Sequence, residues 1–167
     1  MKIYCALLLG VIFLVGCETA KPRGGANGVS YVGVSFELYH PPPITVIDEK
    51  GDGFVVYYFR TGKSKTKLGI YEGQYPSPFA RKERNLTVMQ EGITSRKNIE
   101  RGEDILGVDL HGKYWRESVW NCFYNTTRTT ENKSYRLPIK LHIWYFEATQ
   151  EEKEMFDAMI DTIEMRS

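Results

Sequence analysis

Cysteine and histidine are scarce in this 167-residue chain, at three each, and no apolar run approaches the roughly twenty residues that a helix needs to cross a hydrocarbon core. No excess charge of either sign is present, with 22 Lys plus Arg against 21 Asp plus Glu. That balance excludes a protein built around nucleic acid, which carries a basic stripe or domain. Several catalytic signatures are also missing: Gly-x-Ser-x-Gly, a Walker loop, a Gly-x-Gly-x-x-Gly turn after a strand, Cys-x-x-Cys and His-Glu-x-x-His. His40, His111 and His142 stand far apart, with no ligand at metal spacing beside them, so neither a metal nor a cofactor is expected. Asp109-Leu-His111 with His142 would form a metal site only under a particular strand pairing. A carboxylate such as Glu117 or Asp109 beside His142 would make an acid–base pair, but any chain of this size offers such pairs.

What is present begins with the first segment. Lys2 precedes an apolar stretch from Tyr4 to Val15, too short to span a membrane and therefore an export signal. It closes on Leu14-Val15-Gly16-Cys17, which resembles the lipobox of bacterial lipoproteins. The resemblance implies a signal peptide over residues 1–16, cleavage after Gly16, and acylation of the Cys17 thiol. Two or three acyl chains hold a protein stably on a membrane, where one is marginal. Glu18 stands where enteric bacteria place Asp to retain lipoproteins in the inner membrane, so the resemblance implies the outer membrane, facing the periplasm. Without Lys2 the 22 basic residues become 21, equal to the acidic ones.

Cys5 leaves with the signal and Cys17 takes lipid, so only Cys122 remains, in the aromatic run Trp120–Tyr124. No intramolecular disulfide is then possible, and Cys122 reads as a buried, inert thiol. Residues 17–28 form the lipidated cysteine and a tether whose glycines, Pro22 and lack of large apolar side chains keep it out of any core.

A single globular domain is expected over residues 29–167. Val32, Val34, Phe36 and Leu38 alternate as one half-buried strand, ended by His40-Pro41-Pro42-Pro43. Ile44–Ile47 and Phe54–Phe59 flank Asp48–Gly53 as a hairpin, with Gly51 and Gly53 free to take positive φ. The same loop fails as an EF-hand, because Lys50 and Phe59 occupy positions that need oxygen ligands. Thr61–Lys67 is a basic hairpin tip, either solvated or facing anionic lipid. Leu68–Tyr71, Leu86–Met89 and Ile105–Leu110 read as short strands, and the charged span Thr94–Asp104 as loop. Tyr114–Tyr124 and Ile139–Phe146 are the strongest strands, joined by a polar connection over Asn125–Arg136. Large groups on both faces of the second place it centrally. Thr149-Gln-Glu-Glu152 is a capping box that opens a helix with Met155, Phe156, Met159, Ile160 and Ile163 on one stripe.

Together these elements predict an α+β domain: an antiparallel sheet of about five to seven strands with a C-terminal amphipathic helix packed on it. The hairpin Ile44–Phe59, the run Leu137–Phe146 and the closing helix resemble in layout the PsbP-like α/β/α sandwich, although no clear helix lies between the early and late strands. The functional expectation is a membrane-anchored envelope lipoprotein, a non-catalytic binding or structural module for an envelope protein or surface polymer. The loop carrying Tyr71, Tyr75 and Phe79 is the candidate binding surface, since loops on rigid scaffolds carry function. The alternative is a periplasmic enzyme or small-ligand binder using His111 or His142.

Overall fold

The computed structural model describes residues 28–62, 64–79, 86–96, 98–128 and 133–166. The signal segment, Cys17 and nearly all of the tether lie outside them. The element order is β1 (Val29–Val32), β2 (Phe36–His40), β3 (Ile44–Gly51), β4 (Phe54–Thr61), β5 (Lys67–Gly73), β6 (Thr87–Arg96), β7 (Ile99–Val108), β8 (Tyr114–Arg128), β9 (Lys133–Ala148), α1 (Gln150–Asp161) and β10 (Glu164–Met165). Among the described residues there are thus ten strands in two antiparallel sheets and one short helix, which corrects the α+β expectation to a mostly β fold.

Two polar stretches account for the difference. The polar stretch Thr94–Asp104 carries few apolar side chains, yet its described residues extend β6 and β7, with Thr94 opposite Gly102 and Arg96 opposite Ile99. Residues 125–128 and 133–136 likewise continue the β8–β9 ladder, with Asn125 opposite Arg136 and Arg128 opposite Lys133. The expected single strand over Val32–Leu38 is instead a tight hairpin, in which Gly33 N–H donates to Phe36 O at 2.8 Å. Phe36 and Leu38 are fully buried there, whereas Val32 and Val34 face solvent.

Local chemistry explains the remaining elements. β3 and β4 close on the two-residue turn Asp52-Gly53, where Gly53 takes φ 76°, a region that costs an L side chain energy. At the start of α1, Thr149 Oγ1 accepts from Glu152 N–H at 3.2 Å while Glu152 Oε2 accepts from Thr149 N–H at 2.8 Å. Two donors that the first turn would leave orphaned are thereby satisfied. The helix ends at Thr162, whose hydroxyl donates to Met159 O at 2.7 Å.

The large sheet runs in the order β3-β4-β5-β9-β8-β7-β6 and the small one β1-β2-β10. Two meanders, β3 to β5 and β6 to β9, are joined in the sheet where β5 pairs with β9. The core lies between one face of the large sheet and a layer made of α1 and the small sheet. Tyr57, Phe59, Leu68, Ile70, Trp120, Leu141, Ile143 and Tyr145 supply the sheet side, and Phe36, Leu38, Phe156, Met159 and Ile160 close it. No helix covers the opposite face among the described residues, so the two helical layers implied by the PsbP-like resemblance are not formed there.

Candidate functional site

The uncovered face of the large sheet is where the chemistry collects. Strand alternation sends His142, Trp144 and Phe146 of β9 away from the core, opposite to Leu141, Ile143 and Tyr145. Register places Gly69 beside Trp144, Tyr71 beside His142, and Glu117 across from Trp144, one diagonal step from His142. A Cβ at Gly69 would run into the Trp144 indole, so the missing side chain is what lets that ring lie against β5.

The chain leaving β5 straps this face. Phe79 packs on His142, Trp144 and Phe146 at centroid distances of 5.3, 5.5 and 4.8 Å, edge-on or tilted as ring quadrupoles favour. Its backbone N–H donates to Glu117 Oε1 at 2.7 Å, and the same oxygen lies 2.8 Å from His142 Nε2. Both side chains are almost wholly buried, at 4% and 3% exposed. The sequence offered Glu117 and His142 as one acid–base pair among many; the β8–β9 register, invisible in the sequence, selects it.

Tyr71, Tyr75 and Phe79 fall on one loop region with different roles. Tyr71 is half-buried and stacks on Phe54 at 5.5 Å. Its hydroxyl accepts from Tyr75 N–H at 3.2 Å, and Gln74 Nε2 donates to Pro138 O at 2.8 Å. With Phe79 fastened to Glu117, the loop is held at three points while the Tyr75 ring stands 88% exposed. Rigid presentation of an exposed aromatic is the pattern of a contact hot spot.

A second polar cluster lies between the sheet and α1. Arg116 bridges Asp157 at 2.9 Å and Asp104 at 3.2 Å, Trp120 Nε1 donates to Asp104 at 3.1 Å, and Tyr145 OH donates to Asp157 at 3.0 Å. Burial draws the Arg116 guanidinium down, but Asp157 and then Asp104 outweigh it and the net shift is upward. This cluster walls a pocket of about 330 Å³ between α1 and the β6–β7 hairpin. Glu152, partly desolvated, is nonetheless held below the usual carboxylate range by Ser64, Thr149 and Lys113.

The remaining sequence candidates separate. Asp109 Oδ1 accepts from the N–H groups of His111 and Lys113 at 2.8 and 2.9 Å, so it shapes the β7–β8 turn while His111 faces solvent. Asp109, His111 and His142 do not converge; among the described residues no three His, Cys, Asp or Glu side chains are grouped to hold a metal. Cys122 is 1% exposed, and burial pushes its thiol up to about 12.

No protein-family model, curated protein or solved structure matches this chain. Fold and site therefore define it on their own terms: a mostly β domain with a helix over one sheet face and an aromatic strap over the other.

Proposed function

We propose that the chain is a lipid-anchored envelope protein, held on the outer membrane through Cys17, whose β domain is a non-catalytic binding module for another envelope component. The contact surface centres on Tyr75 and its neighbours Tyr71 and Phe54. The observation that carries the reading is the pinned loop, which holds the Tyr75 ring in solvent on three fixed contacts. Ordering the loop backbone before binding lowers the entropy that association costs. The lipobox-like Leu14–Cys17 and the residues that follow it support the tethering. Catalysis through His142 has less support, because Phe79 and Glu117 seal that imidazole, and His111 lies exposed on the β7–β8 turn, where its backbone N–H donates to Asp109.

The test places a photoreactive amino acid at position 75 in intact cells, with position 154 on the exposed helix face as control. A single envelope component captured from position 75 and not from 154, and reduced by Cys17→Ser, is the expected result. Capture equal at both positions, or an unmodified Cys17 by mass spectrometry of the extracted protein, would overturn the reading.

A further inference from the structure

The part of the uncovered face built by β3, β4, β5 and β9 is paved with rings. Tyr57, Phe59, Leu68, Ile70, Leu141 and Ile143 point into the core, so alternation turns Phe54, Tyr58, Tyr71 and Trp144 outward. Three of those rings lie against bare backbone. A Cβ at Gly51 would strike the Phe54 ring, one at Gly73 the Tyr71 phenol and one at Gly69 the Trp144 indole. Phe54 and Tyr71 are close to parallel, with planes 23° apart at 5.5 Å, and Tyr58 meets Trp144 edge-on at 6.4 Å. Rings laid down on a sheet offer their faces to what approaches, and a ring face carries the negative part of the quadrupole.

Charge is segregated about this face. Among the described residues, the Lys, Arg, Asp and Glu side chains that alternation sends outward on these four strands are Arg60, Lys67, Arg136 and Lys140 against Glu49. On the other side of the sheet, α1 carries Glu151, Glu152, Glu154, Asp157 and Asp161 against Lys153. A chain whose total charge is close to balance thus presents a basic aromatic face and an acidic helix. Cations and rings interleave on the basic face: Lys67 Nζ stands 3.6 Å from the Tyr58 centroid, and the Arg136 guanidinium 4.2 Å from that of Phe123.

We infer that this face binds an acidic polysaccharide, a sugar chain whose rings rest on Phe54, Tyr71 and Tyr75 while its anionic groups meet Arg60, Lys67 and Lys140. The inference rests on the proposed binding role of the Tyr75 surface and gives the chemistry of its partner. Sugar C–H bonds are electron-poor and suit the negative ring faces, and the anionic groups complement the cations beside them. The Lys67 ammonium stands over the Tyr58 ring, so a flat lipid surface would meet the charge and leave the rings uncovered. A single chain settles between the cations and reaches both.

The test is affinity electrophoresis of the detergent-extracted full chain through gels containing one of four polymers. Polygalacturonate carries sugar rings and carboxylates, its methyl ester the rings alone, polyglutamate the carboxylates alone, and oligothymidylate a charged backbone with bases. Polygalacturonate should retard the chain at least tenfold more strongly than the other three. Tyr75→Ala, a change at an 88% exposed side chain, should lower that affinity about fivefold, and Arg60→Glu with Lys140→Glu should lower it about tenfold. Glu154→Ala on the helix should leave it unchanged, and all variants should keep the native circular-dichroism spectrum. No retardation by polygalacturonate, or equal retardation by polyglutamate or oligothymidylate, overturns the inference. So does retardation that survives both the Tyr75 change and the charge reversals. A protein captured from position 75 in cells by a chain that polygalacturonate does not retard overturns this inference and leaves the tethered binding module standing.

Discussion

Glu117 Oε1 sits 2.7 Å from the Phe79 amide nitrogen and 2.8 Å from His142 Nε2, so one buried oxygen ties a surface loop to the central strand of the sheet. Removing one partner of a buried pair leaves the other without compensation, which costs about 3–5 kcal/mol. Glu117→Ala is expected to lower the unfolding free energy by that order in urea titration. The Phe79 amide should also exchange its hydrogen much faster. Unchanged exchange at Phe79 in a folded variant would show that the ring contacts alone hold the strap.

Gly69 marks a second pressure point on the same face. Adding a methyl there drives into Trp144, and overpacking of this kind costs about 1–3 kcal/mol. Gly69→Ala should shift the tryptophan emission and reduce stability, and Gly69→Ala with Trp144→Leu should recover part of the loss. A fully tolerated Gly69→Ala would mean that Trp144 has room to move.

Arg116 joins sheet to helix through Asp104 and Asp157. Arg116→Ala leaves two partly buried carboxylates facing each other and should cost roughly 3 kcal/mol in chemical denaturation. Arg116→Lys should recover only part of it, because an ammonium cannot reproduce the two-pronged geometry. Equal stability of Arg116→Ala and the native chain would sink this assignment.

Cys122 sets an alkaline limit. Its folded thiol titrates near 12, above the ordinary value of 9.0, so the folded state keeps a proton that the unfolded state gives up. The associated stability is complete below about pH 9 and falls as pH rises towards 12. Cys122→Ala should flatten that decline in thermal melts between pH 8 and 11. In the native fold at pH 9 the Cys122 thiol should resist a thiol reagent that reacts at once in denaturant.

Much of the layout can be read from the residues. Asp52-Gly53 fixes one hairpin and Thr149 with Glu152 fixes the start of the helix, because these are local devices whose partners lie within a few residues. Alternation in β9 also separates its two faces correctly. Leu86–Met89 and Ile105–Leu110 were read as strands, but the part of the β6–β7 hairpin within Thr94–Asp104 was read as loop, because it is polar, half-exposed and bulged, which leaves no period of two. Tyr71, Tyr75 and Phe79 could be grouped from the sequence because they share one loop region, a local relationship. Glu117 with His142 was not, since a diagonal contact depends on a register set by distant residues.

The meeting of the two meanders at β5 and β9 has a consequence for how the chain is made. β9 is the last long strand to leave the ribosome, yet it is the one that stitches the halves of the sheet together. A nascent chain that ends before residue 133 lacks the central strand and cannot assemble the large sheet. Such a chain stays open until synthesis is nearly finished, so the large sheet closes late, when its central strand has been made.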